Sequence, residues 1–318
     1  MTALAPYVQI VARGPGRGRS LTQDEAFDAM RIMLSGSASP QAVGALLMVL
    51  RYRGETAAEI AGFTAAVRSY AQVACPAELD WPCYAAGRTR GAPLFLLAAR
   101  LVAAAGYRVV LHGWNSHQGQ AANVRKALAQ LDIPVGLNAG PIRYLPLEDH
   151  APQLFALLQL RDLLGLRSCV NTVCRMWNPS EARATVQGVF HPSYRGLQAQ
   201  AAVALGKSDL SVIKGGGGEF ERHPGKALQV YGLRQGQHQQ TTAPALLDAT
   251  RKLHEPDRPV DVAALWFGGQ DDPFAEQTVI GTAGLALWTL GAAPSIAAAD
   301  ALAAELWLKR YDAMRMRA

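Results

Sequence analysis

Residues 21–68 read LTQDEAFDAMRIMLSGSASPQAVGALLMVLRYRGETAAEIAGFTAAVR. Thr22 followed three residues later by Glu25 is a capping box, in which each side chain satisfies a backbone N–H at a helix start. Ala26, Phe27, Met30, Met33 and Leu34 then recur at helical spacing. Ser35 to Pro40 reads as a turn, with Ser39 in the capping position and Pro40 at the first helical position, where its missing N–H costs nothing. Gln41 to Tyr52 forms the next helix, with Val43, Leu46, Leu47 and Leu50 on its faces, and Gly54 ends it. Thr56 opens a third helix that runs through Ile60, Phe63 and Val67 to about Ala71. Residues 20–72 are therefore helices joined by short loops, a small all-α unit.

On its N-terminal side lies RGPGRGR at 13–19, a flexible basic tract that reads as a solvated linker or as an arm touching phosphate. On the other side the texture changes. Trp81 to Ala86 reads as a strand, Gly87 to Gly91 as a loop and Ala92 to Ala105 as a helix. Tyr107 to Leu111 is a strand, His112 to Gln120 a polar loop and Ala121 to Leu131 a helix. This alternation predicts a mostly parallel sheet covered by helices, with its ligand at the carboxyl ends of the strands. Pro152 to Leu164 is a further helix, and Arg167 to Val173 leads to Trp177, Asn178 and Pro179. Strands are expected at 185–190, 209–213, 229–233 and 261–267, and helices at 194–205, 279–290 and 295–314. Trp266, Trp288 and Trp307 read as packing residues. The fold class is α/β, a small all-α domain followed by a large domain with a mostly parallel central sheet.

The chain has 318 residues, half of them hydrophobic and 18% charged, which excludes a disordered protein. Lys and Arg outnumber Asp and Glu by 31 to 25, a net +6 that suits an anionic partner. Cys75, Cys83, Cys169 and Cys174 form no CxxC pair, so neither a disulfide framework nor a structural metal is expected. No leader-like start and no apolar run of membrane-spanning length is evident, and the expectation is a soluble, cytoplasmic protein with no membrane partner.

Chemistry concentrates in IKGGGGEFERHPGK at 213–226. Gly215, Gly216, Gly217 and Gly218 carry no side chains to pack, and they let another molecule approach main-chain N–H groups. Lys214, Arg222, His223 and Lys226 flank them, and Arg234, Arg251 and Lys252 follow, against Glu219, Glu221 and Asp248. The alternative is a mobile surface loop with scattered charge. Arg88 and Arg90 in the first loop, and Arg125 and Lys126 on the helix after the second, would add to a cationic surface if the loops converge. Trp114, Tyr231 and His223 are candidate platforms for stacked bases.

Residues 21–68 resemble the N-terminal helical domain of anthranilate phosphoribosyltransferase, with RGET…EIAG the most characteristic part. The similarity continues through HGWN at 112–115, RDLLGLRSCVNT at 161–172, Asn178-Pro179 and the Ala- and Gly-rich helix at 279–291. It implies a helical, dimerising domain at 1–72, completed by helices around 152–182, and an α/β domain at 73–318. It also implies a homodimer and a relic substrate site at Gly87, His112, Asn115, Asn171 and Glu219. The signatures for phosphoribosyl pyrophosphate depart from the pattern. A GTGGD-type loop is replaced by AAGRTRGAP at 85–93, and an adjacent Asp-Glu pair that would hold magnesium by Glu219 and Phe220. The chain looks like the YbiB-type branch of this glycosyltransferase family 3 group, which implies a non-catalytic DNA- and RNA-binding protein with little sequence preference, acting on single or double strands. On that reading there is no catalytic residue, no metal and no cofactor. The alternative is a phosphoribosyltransferase with magnesium and an anthranilate-like acceptor, and a pyrimidine-nucleoside phosphorylase-like enzyme stands third.

Overall fold

The computed structural model describes residues 3–14, 16–84, 91–114, 122–138, 140–248, 251–253 and 259–315. Four helices open the chain: α1 (Ala5–Ala12), α2 (Gln23–Leu34), α3 (Pro40–Arg53) and α4 (Ala57–Tyr70). The capping box expected at Thr22 forms with Glu25, and Thr56 makes a second one with Glu59; the cap expected at Ser39 is not made, because its hydroxyl bonds Gln41 Oε1. Glu59 does more than cap. It is 1% exposed, and its second oxygen accepts the N–H of Leu21 at 2.9 Å, tying the start of α2 to the start of α4. Gly62 permits that packing, since a Cβ there would lie 2.1 Å from the Gln23 carbonyl oxygen. Glu59→Ala is expected to cost about 1–3 kcal/mol, because it leaves buried N–H groups unpaired; urea unfolding followed by circular dichroism measures it.

The larger domain holds β1 (Leu79–Cys83), α5 (Phe95–Ala104), β2 (Val109–Gly113), α6 (Val124–Gln130), β3 (Ile142–Pro146), α7 (Leu147–His150), α8 (Pro152–Leu164), α9 (Val170–Met176), β4 (Ala184–Val189), α10 (Tyr194–Ala204), β5 (Asp209–Lys214), β6 (Leu228–Arg234), β7 (Gln237–Ala243), α11 (Val262–Phe267), α12 (Pro273–Leu290) and α13 (Ile296–Arg315). The sheet order is β3-β2-β1-β4-β5-β6-β7. The first five strands are parallel, and β6 and β7 add an antiparallel edge. Strands β1, β2, β4 and β5 are buried almost throughout, as strands covered on both faces must be.

One apolar core lies under α5, α12 and α13, where Trp266, Trp288 and Trp307 pack. A second joins the N-terminal helices to α8, α9 and the underside of β4 and β5. The segment 261–267 is helix α11, not a strand: Asp261 accepts the N–H groups of Ala263 and Ala264 and starts a helical turn. No helix among the described residues is long and apolar enough to cross a membrane.

Candidate functional site

The chain leaves β1, builds β2 and β3 on one side, then returns to place β4 on the other side of β1. Sheets of this kind bind ligands at the carboxyl ends of the strands where the order reverses. The loop after β1 falls on residues 85–90, so Gly87, Arg88 and Arg90 lie outside the described residues, as does Asn115. The end of β4 is described. Val189, Phe190 and His191 lead into α10, and with Arg51, Arg167, Ser168, Asn171, Arg175 and Gln198 they line a cavity of about 110 Å³.

Three arginines thus meet from three elements: the last turn of α3, the α8–α9 connection and α9 itself. Arg175 is 6% exposed; its Nε donates to the Gly188 carbonyl at 3.1 Å and its Nη1 to the Asn171 carbonyl at 3.0 Å. Burial pulls the Arg175 pKa down, and the charge of Glu219 partly restores it. Burial also lowers the pKa of Arg167, and the positive charges of Arg161, Arg175 and Arg51 lower it further. Like charges brought together in this way are relieved by an anion. Glu55 acts on Arg51 from the other side; burial raises its pKa, and it accepts the Tyr194 hydroxyl at 3.2 Å. Asn171 Oδ1 and Gln198 Oε1 are buried acceptors without a protein donor. Phe190 stands 48% exposed at the rim. The arginines of this cavity were not among the residues singled out from the sequence; the signal for Arg51 and Arg167 was their place inside the two segments, RYRGET and GLRSC, that carry the family likeness.

The glycine loop is built differently from the sequence expectation. Gly217 and Gly218 take φ of 61° and 94°. The N–H groups of Gly215, Gly216 and Gly218 donate to the carbonyls of Val189, Glu221 and Gly215, so they are spent inside the protein and not offered to phosphate. Glu219 and Glu221 are each 1% exposed, and Glu221 Oε1 accepts the Phe95 N–H at 3.0 Å, in the first turn of α5. A helix N-terminus attracts a phosphate because its N–H groups lack partners; here a carboxylate of the chain takes that place. The burial of both carboxylates and the engagement of Glu221 at α5 make a poor fit for magnesium, which needs accessible carboxylates beside substrate oxygens. Among the described residues no group of three or more His, Cys, Asp or Glu could hold a metal ion.

Several expected phosphate contacts are turned inward. Arg222 is fully buried and pairs with Asp300 at 2.9 Å, with a second bond to the Pro244 carbonyl. Arg234 lies 3.4 Å over the Trp288 ring and donates to Leu210 O and Ser211 Oγ; burial lowers its pKa to about 10. Arg251 pairs with Asp272 at 3.0 Å and stacks on Phe274, and Arg125 pairs with Glu148. His223 Nε2 donates to the Arg251 carbonyl and its Nδ1 accepts the Gly225 N–H, so the ring is a loop brace. His112 is buried in the core, with Nδ1 2.9 Å from the Tyr84 hydroxyl and Nε2 3.1 Å from Asp80. Trp114 packs edge-on against Phe155, and Arg195 covers Tyr231. Lys214, Lys226 and Lys252 are exposed, as is Lys126, which stands at a different cavity of about 360 Å³.

A family model described as "Glycosyl transferase family, helical bundle domain" matches residues 8–71. The anthranilate phosphoribosyltransferase of Verminephrobacter eiseniae is 30% identical over 304 residues, covering 90% of this chain and 89% of that protein. That of Polynucleobacter necessarius is 30% identical over 311 residues, with the same coverage of both. Among solved structures, anthranilate phosphoribosyltransferase from Thermus thermophilus superposes with a TM-score of 0.76 at 24% identity, over 98% of this chain and 95% of that one. The Saccharomyces cerevisiae enzyme in complex with PRPP and Mg superposes with a TM-score of 0.74 at 15% identity, over 96% and 94%. With its helical domain, its reversed sheet order and a full-length likeness of this extent, the chain belongs to the anthranilate phosphoribosyltransferase-like family, glycosyltransferase family 3.

Proposed function

We propose that this family member binds nucleic acid through the arginine cavity at the end of β4, and that phosphoribosyl transfer is not its role. The observation that carries this reading is the convergence of Arg51, Arg167 and Arg175 on one cavity beside an exposed aromatic ring. A phosphodiester satisfies guanidinium groups in pairs, and an exposed ring stacks on a base. The internal use of Glu221 at α5 supports the same reading, since a carboxylate of the chain fills a helix N-terminus that would otherwise attract a phosphate. The departures at AAGRTRGAP and KGGGGEF agree with the YbiB-type resemblance.

A second reading, phosphoribosyl transfer to an anthranilate-like acceptor, is favoured by the names of the curated relatives. It is also favoured by the orphan acceptors Asn171 Oδ1 and Gln198 Oε1, which would suit an amino group beside a carboxylate on the arginines.

Fluorescence anisotropy with single- and double-stranded DNA and RNA at two salt concentrations tests the first reading, and pyrophosphate release from phosphoribosyl pyrophosphate, magnesium and anthranilate tests the second. The expected result is binding that weakens steeply with salt, with no pyrophosphate released. Arg167→Ala is expected to weaken binding about tenfold and to make the salt slope shallower by about 0.7–0.9, the loss of one phosphate contact. Pyrophosphate release without salt-dependent binding would reverse the order of the two readings.

A further inference from the structure

The sheet has two outer edges, and the chain treats them differently. The edge of β3 is covered: Gly136 N–H donates to the Tyr144 carbonyl at 2.8 Å and Tyr144 N–H to the Pro134 carbonyl at 2.9 Å, with Val135 bridged to Tyr144. The edge of β7 has no backbone partner among the described residues. Proteins blunt an open edge with a short strand, charged side chains, proline, a bulge or a cover. β7 uses none of these. It pairs with β6 in unbroken register over its whole length, and QHQQTTA holds no Lys, Arg, Asp, Glu or Pro.

Backbone geometry says which groups are spare. Gln235 and Gly236, both at positive φ, make a two-residue turn, so Arg234 and Gln237 exchange both of their backbone hydrogen bonds. Antiparallel ladders alternate. The main chain of Gln237, Gln239 and Thr241 therefore faces β6, and that of His238, Gln240 and Thr242 faces outward. These last three residues are exposed. Gln240 Nε2 donates to Gln229 Oε1 at 3.3 Å and Gln229 Nε2 to Thr242 Oγ1 at 2.7 Å, which keeps β7 aligned on β6.

We propose that β7 is a self-association edge, on which β7 of a second copy docks antiparallel about a twofold axis at Gln240. The register follows from the parity of the spare groups. With the axis at Gln240, His238 faces Thr242, Gln240 faces Gln240 and Thr242 faces His238 of the second copy, and each of these pairs exchanges two backbone bonds. An axis one residue to either side loses one such pair, and an axis between residues sets spare groups against spent ones. A second copy is favoured over an unrelated extended segment on charge. The chain carries a net +6, which keeps two copies apart, and β7 is a charge-free strip on which they meet. The pairing opposes no like charges, and Gln240 sets a carboxamide against a carboxamide, each both donor and acceptor. The contact is separate from the helical domain and does not depend on what the arginine cavity binds.

The test is cross-linking. Cys75, Cys83, Cys169 and Cys174 are buried, so a thiol placed on β7 is the accessible one. Gln240→Cys would face its own copy with Cα atoms about 5.5 Å apart, within the disulfide range of about 4.4–6.8 Å. Gln237→Cys, on the same strand but opposite Ala243, would stand about 20 Å from its copy, at about 3.4 Å per residue of offset. Under mild oxidation the first is expected to form a reducible dimer about tenfold faster than the second, read on a non-reducing gel. Sedimentation velocity of Gln240→Lys and Gln240→Glu is the second arm. Each alone is expected to lose one association step of the native chain, through like charges opposed at the axis, and an equimolar mixture to regain it. Equal cross-linking at both positions, or at neither, would overturn the proposal, as would charge variants that sediment like the native chain. Loss in both charge variants without recovery on mixing would assign β7 to another partner or register, and would also overturn it.

Discussion

Arg222→Ala is expected to lower the unfolding free energy by about 3–5 kcal/mol, the cost of leaving one charge of a buried pair without its partner. The Arg222 side chain is fully buried, and the Asp300 side chain opposite is 10% exposed. Both carboxylate oxygens of Asp300 receive the same Nη1, at 2.9 and 3.0 Å, and the backbone N–H of Arg222 donates to Thr282 Oγ1 at 2.9 Å. The residue therefore pins the segment after the glycine loop to the α12–α13 hairpin. Packing around it is equally tight, because a Cβ on Gly281 would lie 3.2 Å from the Arg222 side chain and one on Gly284 2.2 Å from Asp300. Guanidinium unfolding with an unchanged denaturant slope is the measurement. Removing both charges as Arg222→Met/Asp300→Leu should recover much of the loss, since it leaves no unpaired ion in the core. A loss below about 1 kcal/mol, typical of an exposed pair, would show the guanidinium to be solvated and open to phosphate, as the sequence reading had it.

That contrast marks what a sequence can carry. The capping box at Thr22 is local, with donor and acceptor three residues apart, so α2 and its start were legible, as were α3 and α4. The alternation of strand and helix from Trp81 onward gave the parallel sheet for the same reason. The cap expected at Ser39 does not form, its hydroxyl bonding Gln41 instead, and α1 was not anticipated. β7 escaped because QHQQTTA is a polar edge strand with no apolar alternation, and α11 was misread because a short apolar run suits either structure until Asp261 is seen capping it. The cations failed on range. The sign of a charge is written in the sequence, but Arg222 meets Asp300 across 78 positions and Arg251 meets Asp272 across 21. The glycine run, by contrast, was noticed for the right property and assigned to the wrong neighbour: close approach is required there, but by the chain's own backbone.

Gly215→Ala puts that last point to the test. A Cβ at this position would stand 1.5 Å from the Glu219 carbonyl oxygen and 2.7 Å from its carbon, and both are backbone atoms. No rotamer change relieves such an overlap, so the loop must be rebuilt. Gly188 on the neighbouring strand faces the same segment, with Glu219 backbone 2.1 Å from its would-be Cβ. The fold from β4 to Phe220 depends on both. The expected cost of Gly215→Ala is about 3 kcal/mol or more, at the upper end of overpacking, and it should appear in thermal unfolding with no ligand present. Gly196 provides the internal control. It lies inside α10 with nothing within 4 Å of its would-be Cβ, so Gly196→Ala should stabilise the chain by about 0.5–1 kcal/mol through helix propensity alone. Were the glycine run a phosphate cradle, Gly215→Ala would fold with native stability and lose only affinity for nucleic acid. The N–H groups already spent on Val189, Glu221 and Gly215 argue for the opposite order: stability falls first, and affinity follows only through the displaced end of β4, where Phe190 and Arg175 stand against Gly218.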